Sequence, residues 1–440
     1  MSFQQGLSGL NAASKGLDAV SNNVANSSTV GFKASQAHFA DIYAASLSGG
    51  GAGGAGIGTS VAAIQQQFTQ GNITTTNNTL DLAINGGGFY KTTSSDGTIV
   101  YTRNGQFHSD KQGYIINDQN YRLMGYAATS SGAIVKSDPG AIKLDTSNLA
   151  PQPTGAALGG NAKAVLNLDS RTVAPTSTTF NTSDPASYTY STAMTVYDTL
   201  GVDHTLTLYF GKSTPQPATG STWDVHAALD GTVSTAWNPL KLTFDSSGNL
   251  TAQSTKADPM TPPDLPGDWV VTTGASTPLG TWDDPAVAGT GNPLPNWMLD
   301  FKGTTSYGGT STANSTYQGG YAQGTLTGYS VAKDGVVKGN YSNGQTKILA
   351  QVVLTTFPDP NGLMNLGNNQ WQETSTSGQG VDGVPGSGAR GPIQSSAVED
   401  SNVDLTAELV NMITLQRNYQ ANSQSIKTQD AIMQTLVSLR

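Results

Sequence analysis

Apolar residues recur every seven positions at both ends of the chain, and the long middle does not continue the pattern. Near the start, Phe3, Leu10, Leu17 and Val24 carry the repeat, widened by Leu7, Ala13 and Val20. Near the end, Leu405, Met412, Tyr419, Ile426 and Met433 carry it, flanked by Leu409 and Val437. Residues seven apart lie on nearly one face of an α-helix, so each end is predicted to be a helix with a stripe that must be covered. Asp400 to Asp404 places carboxylates at the predicted start of the second helix, where unpaired N–H groups favour them, and Arg440 puts a cation at its far end. The polar faces carry amides: Asn11, Asn22, Asn23 and Asn26 in the first helix, Gln416, Asn418, Gln420, Asn422, Gln424 and Gln429 in the second. Uncharged faces suit a surface that meets copies of itself, since like charges packed together are costly. The expectation is a coil completed between chains, in preference to two helices paired within one monomer.

The segment after the first helix holds Val30-Gly31-Phe32-Lys33, read as a left-handed glycine cap with Phe32 as its apolar latch. Ser46 to Gly58 is almost all Gly, Ala and Ser, and reads as a loop. No Gly-Lys-Ser/Thr follows it, so it is not a phosphate cradle. From Val61 the period becomes two. Leu80 to Ile84, the Asn85-Gly86-Gly87-Gly88 turn and Phe89-Tyr90 read as strand, turn, strand. Asn104-Gly105 reads as a hairpin, and Asp96-Gly97 and Asp334-Gly335 as type I′ turns. A second strand-rich stretch, from Tyr329 to Phe357, matches the first in type and is expected to join it in one discontinuous domain. Between them, in 151–319, Pro and Thr rise and Trp223, Trp237, Trp269, Trp282 and Trp297 gather, as in an inserted β domain with long loops.

Composition narrows the function. Only 12% of residues are charged, with 21 Lys+Arg against 30 Asp+Glu, and no basic run stands ready to neutralise phosphates. Without cysteine there is no disulfide, thiolate nucleophile or cysteine zinc site. The four histidines, His38, His108, His204 and His226, are scattered and form no HExxH pair. Asp283-Asp284 after Trp282, and Asp268 before Trp269, could suggest a glycan cleft. Adjacent carboxylates in a proline-rich loop are not the opposed pair that glycoside hydrolysis needs. No Gly-x-Ser-x-Gly elbow anchors a Ser/His/Asp set. No catalytic, cofactor-binding or metal-binding residue is expected, and no membrane span or basic-then-apolar cleavable signal is found.

The two ends carry more than periodicity. Leu10-Asn11-Ala12-Ala13, Ser21-Asn22-Asn23-Val24-Ala25-Asn26-Ser27 and Gly31-Phe32-Lys33 resemble the N-terminal signature of the bacterial flagellar rod/hook axial proteins. Ser401-Asn402-Val403-Asp404-Leu405, Glu408 to Ile413, and Gln416-Arg417-Asn418-Tyr419-Gln420-Ala421-Asn422 resemble the matching C-terminal signature. The length of the middle, with Leu80–Tyr90, Tyr101–Phe107 and Gly339–Thr346, is similar to hook members of the family, not to the shorter rod members. One departure is Ser395-Ser396-Ala397-Val398-Glu399-Asp400, where the family usually shows Gly-x-Leu-Glu; the Gly-rich run at 46–58 is another.

The resemblance implies a mixed, mainly β fold with terminal helices forming a coiled inner domain. The implied parts are a helical core (1–30 and 397–440), a connecting region (31–70 and 380–396), a discontinuous inner β domain (71–150 and 320–379) and an inserted outer β domain (151–319). It implies a structural subunit, not an enzyme, with no cofactor. Such a subunit is exported by the type III apparatus without a cleaved signal and polymerises outside the cell as an open helical tube. A cap protein, the distal rod protein, hook–filament junction protein and hook-length control protein are the implied partners. The curved tube would act as a universal joint carrying torque from rod to filament. The implied assembly interface is Phe3, Leu10, Leu17, Val24, Leu405, Leu409, Met412, Tyr419, Ile426, Met433 and Val437. The motif residues are Asn22, Asn23, Asn26, Gly31, Phe32, Asn402, Asp404, Gln416, Arg417 and Tyr419. A straight distal rod subunit and a secreted glycan-binding adhesin built on the tryptophans are the alternatives.

Overall fold

The computed structural model describes residues 2–42, 58–129, 131–155, 162–177, 179–233, 240–256, 269–273, 277–278 and 298–438. Trp237, Trp282, Trp297, Asp268, Asp283, Asp284, Arg440 and nearly all of the Gly-rich run lie outside them. The chain divides into two compact units. The first comprises Met1–Thr146, Thr327–Asn340 and Thr346–Arg440; the second comprises Ser147–Leu326 and Tyr341–Gln345.

In the first unit both ends are helical, α1 over Ser2–Ala25 and α2 over Leu405–Ser438. Asp404 starts α2: its carboxylate accepts from Thr406 N (2.9 Å) and Ala407 N (3.1 Å), which satisfies two of the amides that a helix start leaves open. The helices pair with each other in one chain. That differs from a coil completed only between chains, and the physical reason is residue size. The face that α1 buries is Gly6, Ala12, Ala13, Gly16, Ala19, Val20 and Asn23, not the large stripe. A Cβ on Gly6 would stand 3.1 Å from Ile426 Cγ1, and one on Gly9 would stand 2.8 Å from Asn422 Nδ2. Backbones this close need small residues. A two-stranded antiparallel hairpin, β1 (Ser35–Ile42) and β2 (Gly58–Gln66), also lies against α1. Its register slips by one residue between His38 and Phe39. The extra residue is Ala62 of β2, and on β1 the Phe39 ring comes to rest beside Gly16.

The sheet of this unit joins strands from two distant stretches. Its main path runs Leu326–Val331, Val336–Tyr341, Thr346–Val352, Arg122–Ala127, Phe89–Thr93, Ile99–Thr102, Gln370–Gln372 and Met364–Gly367. Leu82, Ile84, Tyr90, Phe107, Ile115, Leu123, Val352 and Leu354 form one core. A smaller aromatic core holds Phe89, Tyr101, Phe357 and Trp371, whose rings meet edge to face at 4.7–5.9 Å, the arrangement that ring quadrupoles favour.

Three turn readings change. Gly97 and Gly335 have positive φ, but Asp96 and Asp334 do not, so neither pair is type I′. Gly97 N donates to Ser94 O and Gly335 N to Ala332 O. Each loop is a type I turn followed by a left-handed glycine, the three-residue hairpin solution. Asn104-Gly105 is not a hairpin tip: Gly105 O accepts from Leu82 N at 2.9 Å, and a Cβ on Gly105 would collide with Leu82 O.

The second unit is a β-sandwich. One sheet is antiparallel, in the order Tyr190–Tyr197, Asp203–Lys212, Ser221–Leu229, Leu240–Phe244, Leu250–Lys256, Trp269–Thr273, with Thr232–Val233 on Ser221–Leu229. The other contains Thr277–Pro278, Met298–Asp300, Ala162–Asn167 and Thr312–Tyr317. Period-two alternation is clean in Asp203–Lys212, where Leu206, Leu208 and Phe210 turn inward. They meet Ala164, Leu166, Leu299 and Phe301. Trp223 is fully buried in this core and therefore cannot serve a glycan surface.

Candidate assembly surface on the paired helices

The roots of the two helices are tied together by the amides that stood out in the sequence. Asn23, buried in α1, donates through Nδ2 to Ser35 O (2.8 Å) and to Glu408 Oε1 (3.1 Å), while its Oδ1 accepts from Ser35 N (2.8 Å). One side chain thus fixes α1, β1 and α2. Asn402 does the same from the other end: its Oδ1 accepts from Ala34 N (2.8 Å), and its Nδ2 donates to Gln67 O (2.6 Å). Asn26 donates to Asn22 O (3.0 Å) and Asn22 Oδ1 (2.7 Å), closing the end of α1.

Gly31 is left-handed, with φ of 72°, but it is not the helix cap, because α1 already ends at Ala25. Its role is close approach. Gly31 N donates to Glu399 O (2.7 Å), and a Cβ would lie 2.7 Å from Asn104 N. Phe32 is half-buried beside it.

Below the helices sits a buried charge cluster that sequence reasoning missed. Lys33 Nζ donates to Glu399 Oε1 (2.7 Å) and to Thr69 O (2.7 Å); Arg103 Nη1 meets Glu399 Oε2 (3.2 Å); Gly71 N also donates to Glu399 Oε1 (2.9 Å). All three side chains are at least 96% buried. Burial pulls the Lys33 ammonium below its usual range, with Glu399 pulling the other way. The cluster pins the segment after α1, the inner sheet and the strand before α2. The sequence signal was that Lys33 and Arg103 fall inside quoted motifs and Glu399 inside a quoted departure from one.

The predicted interface residues divide by exposure. Leu10, Leu17, Val24, Met412 and Ile426 are half-buried. Phe3, Leu405, Leu409, Tyr419, Met433 and Val437 are exposed, as are Leu7, which widened the first stripe, and Val410 and Ile413, which the seven-residue repeat did not single out. Of the motif residues, Gln416 and Arg417 are exposed on α2 and are not drawn into the network at the helix roots. The helix pair thus leaves a large apolar surface uncovered in the single chain.

Among the described residues no three His, Asp or Glu side chains are grouped to hold a metal, and no helix is long and apolar enough to cross a membrane. His204 is held between Asp230 (Nδ1 to Oδ2, 2.7 Å) and Asp198 (3.7 Å), which secures a hairpin of the second unit.

Comparison with known proteins agrees with the two-ended helical design and the large middle. Family profiles match along the chain: flagella basal body rod protein over 3–33, flagellar hook protein FlgE/F/G D1 domain over 83–155, flagellar basal body protein FlaE D2 domain over 167–321, and flagellar basal body rod FlgEFG protein C-terminal over 394–439. The flagellar hook protein FlgE of Salmonella typhimurium is 38% identical, with all of both chains covered. That of Escherichia coli is 36% identical over the same full extent, and that of Treponema pallidum is 29% identical over all of this chain and 99% of its own. The crystal structure of Helicobacter pylori flagellar hook protein FlgE2 superposes with a TM-score of 0.48 at 12% identity, covering 74% of this chain and 100% of that one. The chain belongs to the flagellar hook protein FlgE family, within the rod/hook axial proteins. It is a structural, non-catalytic axial component of the flagellum.

Proposed function

We propose that this chain is the repeating subunit of a flagellar hook: an extracellular, curved, flexible tube that carries torque from rod to filament. Subunits add to one another through the outward faces of α1 and α2, which line the inner wall. The inner sheet and the second unit form the outer layers. The observation that carries this reading is the uncovered apolar surface of the helix pair: Phe3, Leu7, Leu409, Val410, Ile413, Met433 and Val437 are each at least 44% exposed in the single chain. Covering the part of each such side chain that is still exposed would gain on the order of 1 kcal/mol. The interface residues named from the sequence belong to this surface, with Leu10, Leu17, Val24, Met412 and Ile426 shared between the intrachain seam and neighbours. Export without a cleaved signal, a cap protein at the growing end, distal rod and junction proteins at the two ends, and a length-control protein follow from the family's biology and are part of the proposal.

The test is electron microscopy of polymer grown from the purified chain. Curved tubes with helices on the inner wall are expected. Straight, rigid tubes would favour a distal rod subunit, and a chain that stays monomeric under all assembly conditions would overturn the reading.

A further inference from the structure

The α2 helix has two unlike sides. On one, Leu409, Val410 and Ile413 are 44–59% exposed, and Arg417 follows one turn later. On the other, α1, β1 and α2 enclose a groove of about 400 Å³ lined by Gly16, Ala19, Ala37, Phe39, Asn411 and Leu415. Leu409 and Asn411, like Ile413 and Leu415, are two residues apart, which is about 200° around a helix. The bulky patch and the groove therefore face in opposite directions. The groove is open because α1 contributes small residues there, and its one charged lining residue is Glu408. The patch carries one cation, Arg417.

We infer that these two sides are complementary halves of one contact: the Leu409–Ile413 patch of one copy seats in the α1–β1–α2 groove of a second copy, with Arg417 of the first facing Glu408 of the second. Shape, apolarity and charge sign all match. Because the halves lie on opposite sides of one helix, seating one copy leaves a free patch at one end of the pair and a free groove at the other. Such a heterologous contact propagates without closing into a dimer. The inference rests on the polymer reading above and names which surfaces meet. Phe39 takes on a specific role in it: its ring lines the groove beside Gly16.

The chain has no cysteine, so disulfide trapping reads the contact cleanly. Full-length chains carrying Ile413→Cys and full-length chains carrying Ala37→Cys are mixed, polymerised, oxidised and dissolved without reductant. A disulfide-linked dimer is expected from the polymerised mixture, at least about tenfold above the unpolymerised mixture and above polymers of either variant alone. Polymers that yield no mixed dimer, or an Ile413→Cys chain that links to itself, would overturn the inference while leaving the polymer reading intact. Failure of the unsubstituted chain to polymerise would overturn both. As an arm free of engineered thiols, Arg417→Glu is expected to raise the critical concentration severalfold at low salt without changing the thermal melt. An unchanged critical concentration would count against the charge match.

Discussion

At the scale of single residues, the charge cluster under the helices explains more of the molecule than its size suggests. Glu399 is the one anion that, among the described residues, pairs with both buried cations. Removing it leaves two uncompensated charges in a dry site, whereas removing Lys33 leaves Glu399 still paired with Arg103 and the Gly71 amide. Glu399→Gln is therefore expected to cost about 3–5 kcal/mol and Lys33→Met less than about 2. Urea unfolding of the two variants checks the order, and a larger loss from Lys33→Met would contradict it. The departure from Gly-x-Leu-Glu noted at 395–400 puts Ser396, with φ of 54°, in a left-handed conformation that favours glycine. Ala397 and Val398 are buried in the strand that pairs with Ile73–Thr75, which ends on the Glu399 carboxylate of the cluster.

At the scale of elements, the two terminal helices form a seam that small residues made possible and that Ile426 stabilises near its free end. Ile426 lies against Gly6, while Gln424 points to solvent. An aspartate at 426 would place an unpaired charge in that seam, at a cost of several kcal/mol. Gln424→Glu should stay within about 0.5 kcal/mol, as surface changes usually do. Hydrogen exchange separates the consequences. In Ile426→Asp, amides of 2–25 and 405–438 should exchange faster while those of Arg122–Ala127 keep their protection. The Gln424→Glu profile should match the unsubstituted chain. Loss of protection in the sheet of the Ile426→Asp variant would show that the helices hold up the β core, and normal polymer growth would remove this seam from the assembly account.

At the scale of the whole molecule, the second unit has the entry and exit that an insertion needs. The chain enters beside where it leaves: Leu149 N donates to Gly324 O (2.8 Å), and Gln152 N to Tyr321 O (3.0 Å). Ends this close can be joined by a short linker with little loss. Replacing 151–319 with a Gly/Ser linker is expected to leave the first unit's thermal transition in place and its helices able to polymerise, with tube shape altered. Differential scanning calorimetry and electron microscopy of the truncated chain test the two halves of that statement. Failure to polymerise with the first unit still folded would refute the division of labour.

What the sequence determined by itself is what depends on local periodicity and chemistry. The seven-residue stripes gave two helices, the carboxylates from Asp400 to Asp404 gave the start of the second, and period-two alternation gave the strand, turn and strand around Leu82–Ile84 and Phe89–Thr93. Each follows from residues within a turn or a strand of one another. The tertiary structure alone decided which side of each helix is buried. Periodicity marks an apolar face but is silent about how close a partner's backbone can come. Gly6, Gly9 and Gly16 let α2 approach on the small side, and this left Phe3 and Leu7 facing outward. It also decided the meeting of Lys33, Arg103 and Glu399. Their separation of up to 366 residues leaves no local trace, and only burial from water makes three such charges depend on one another.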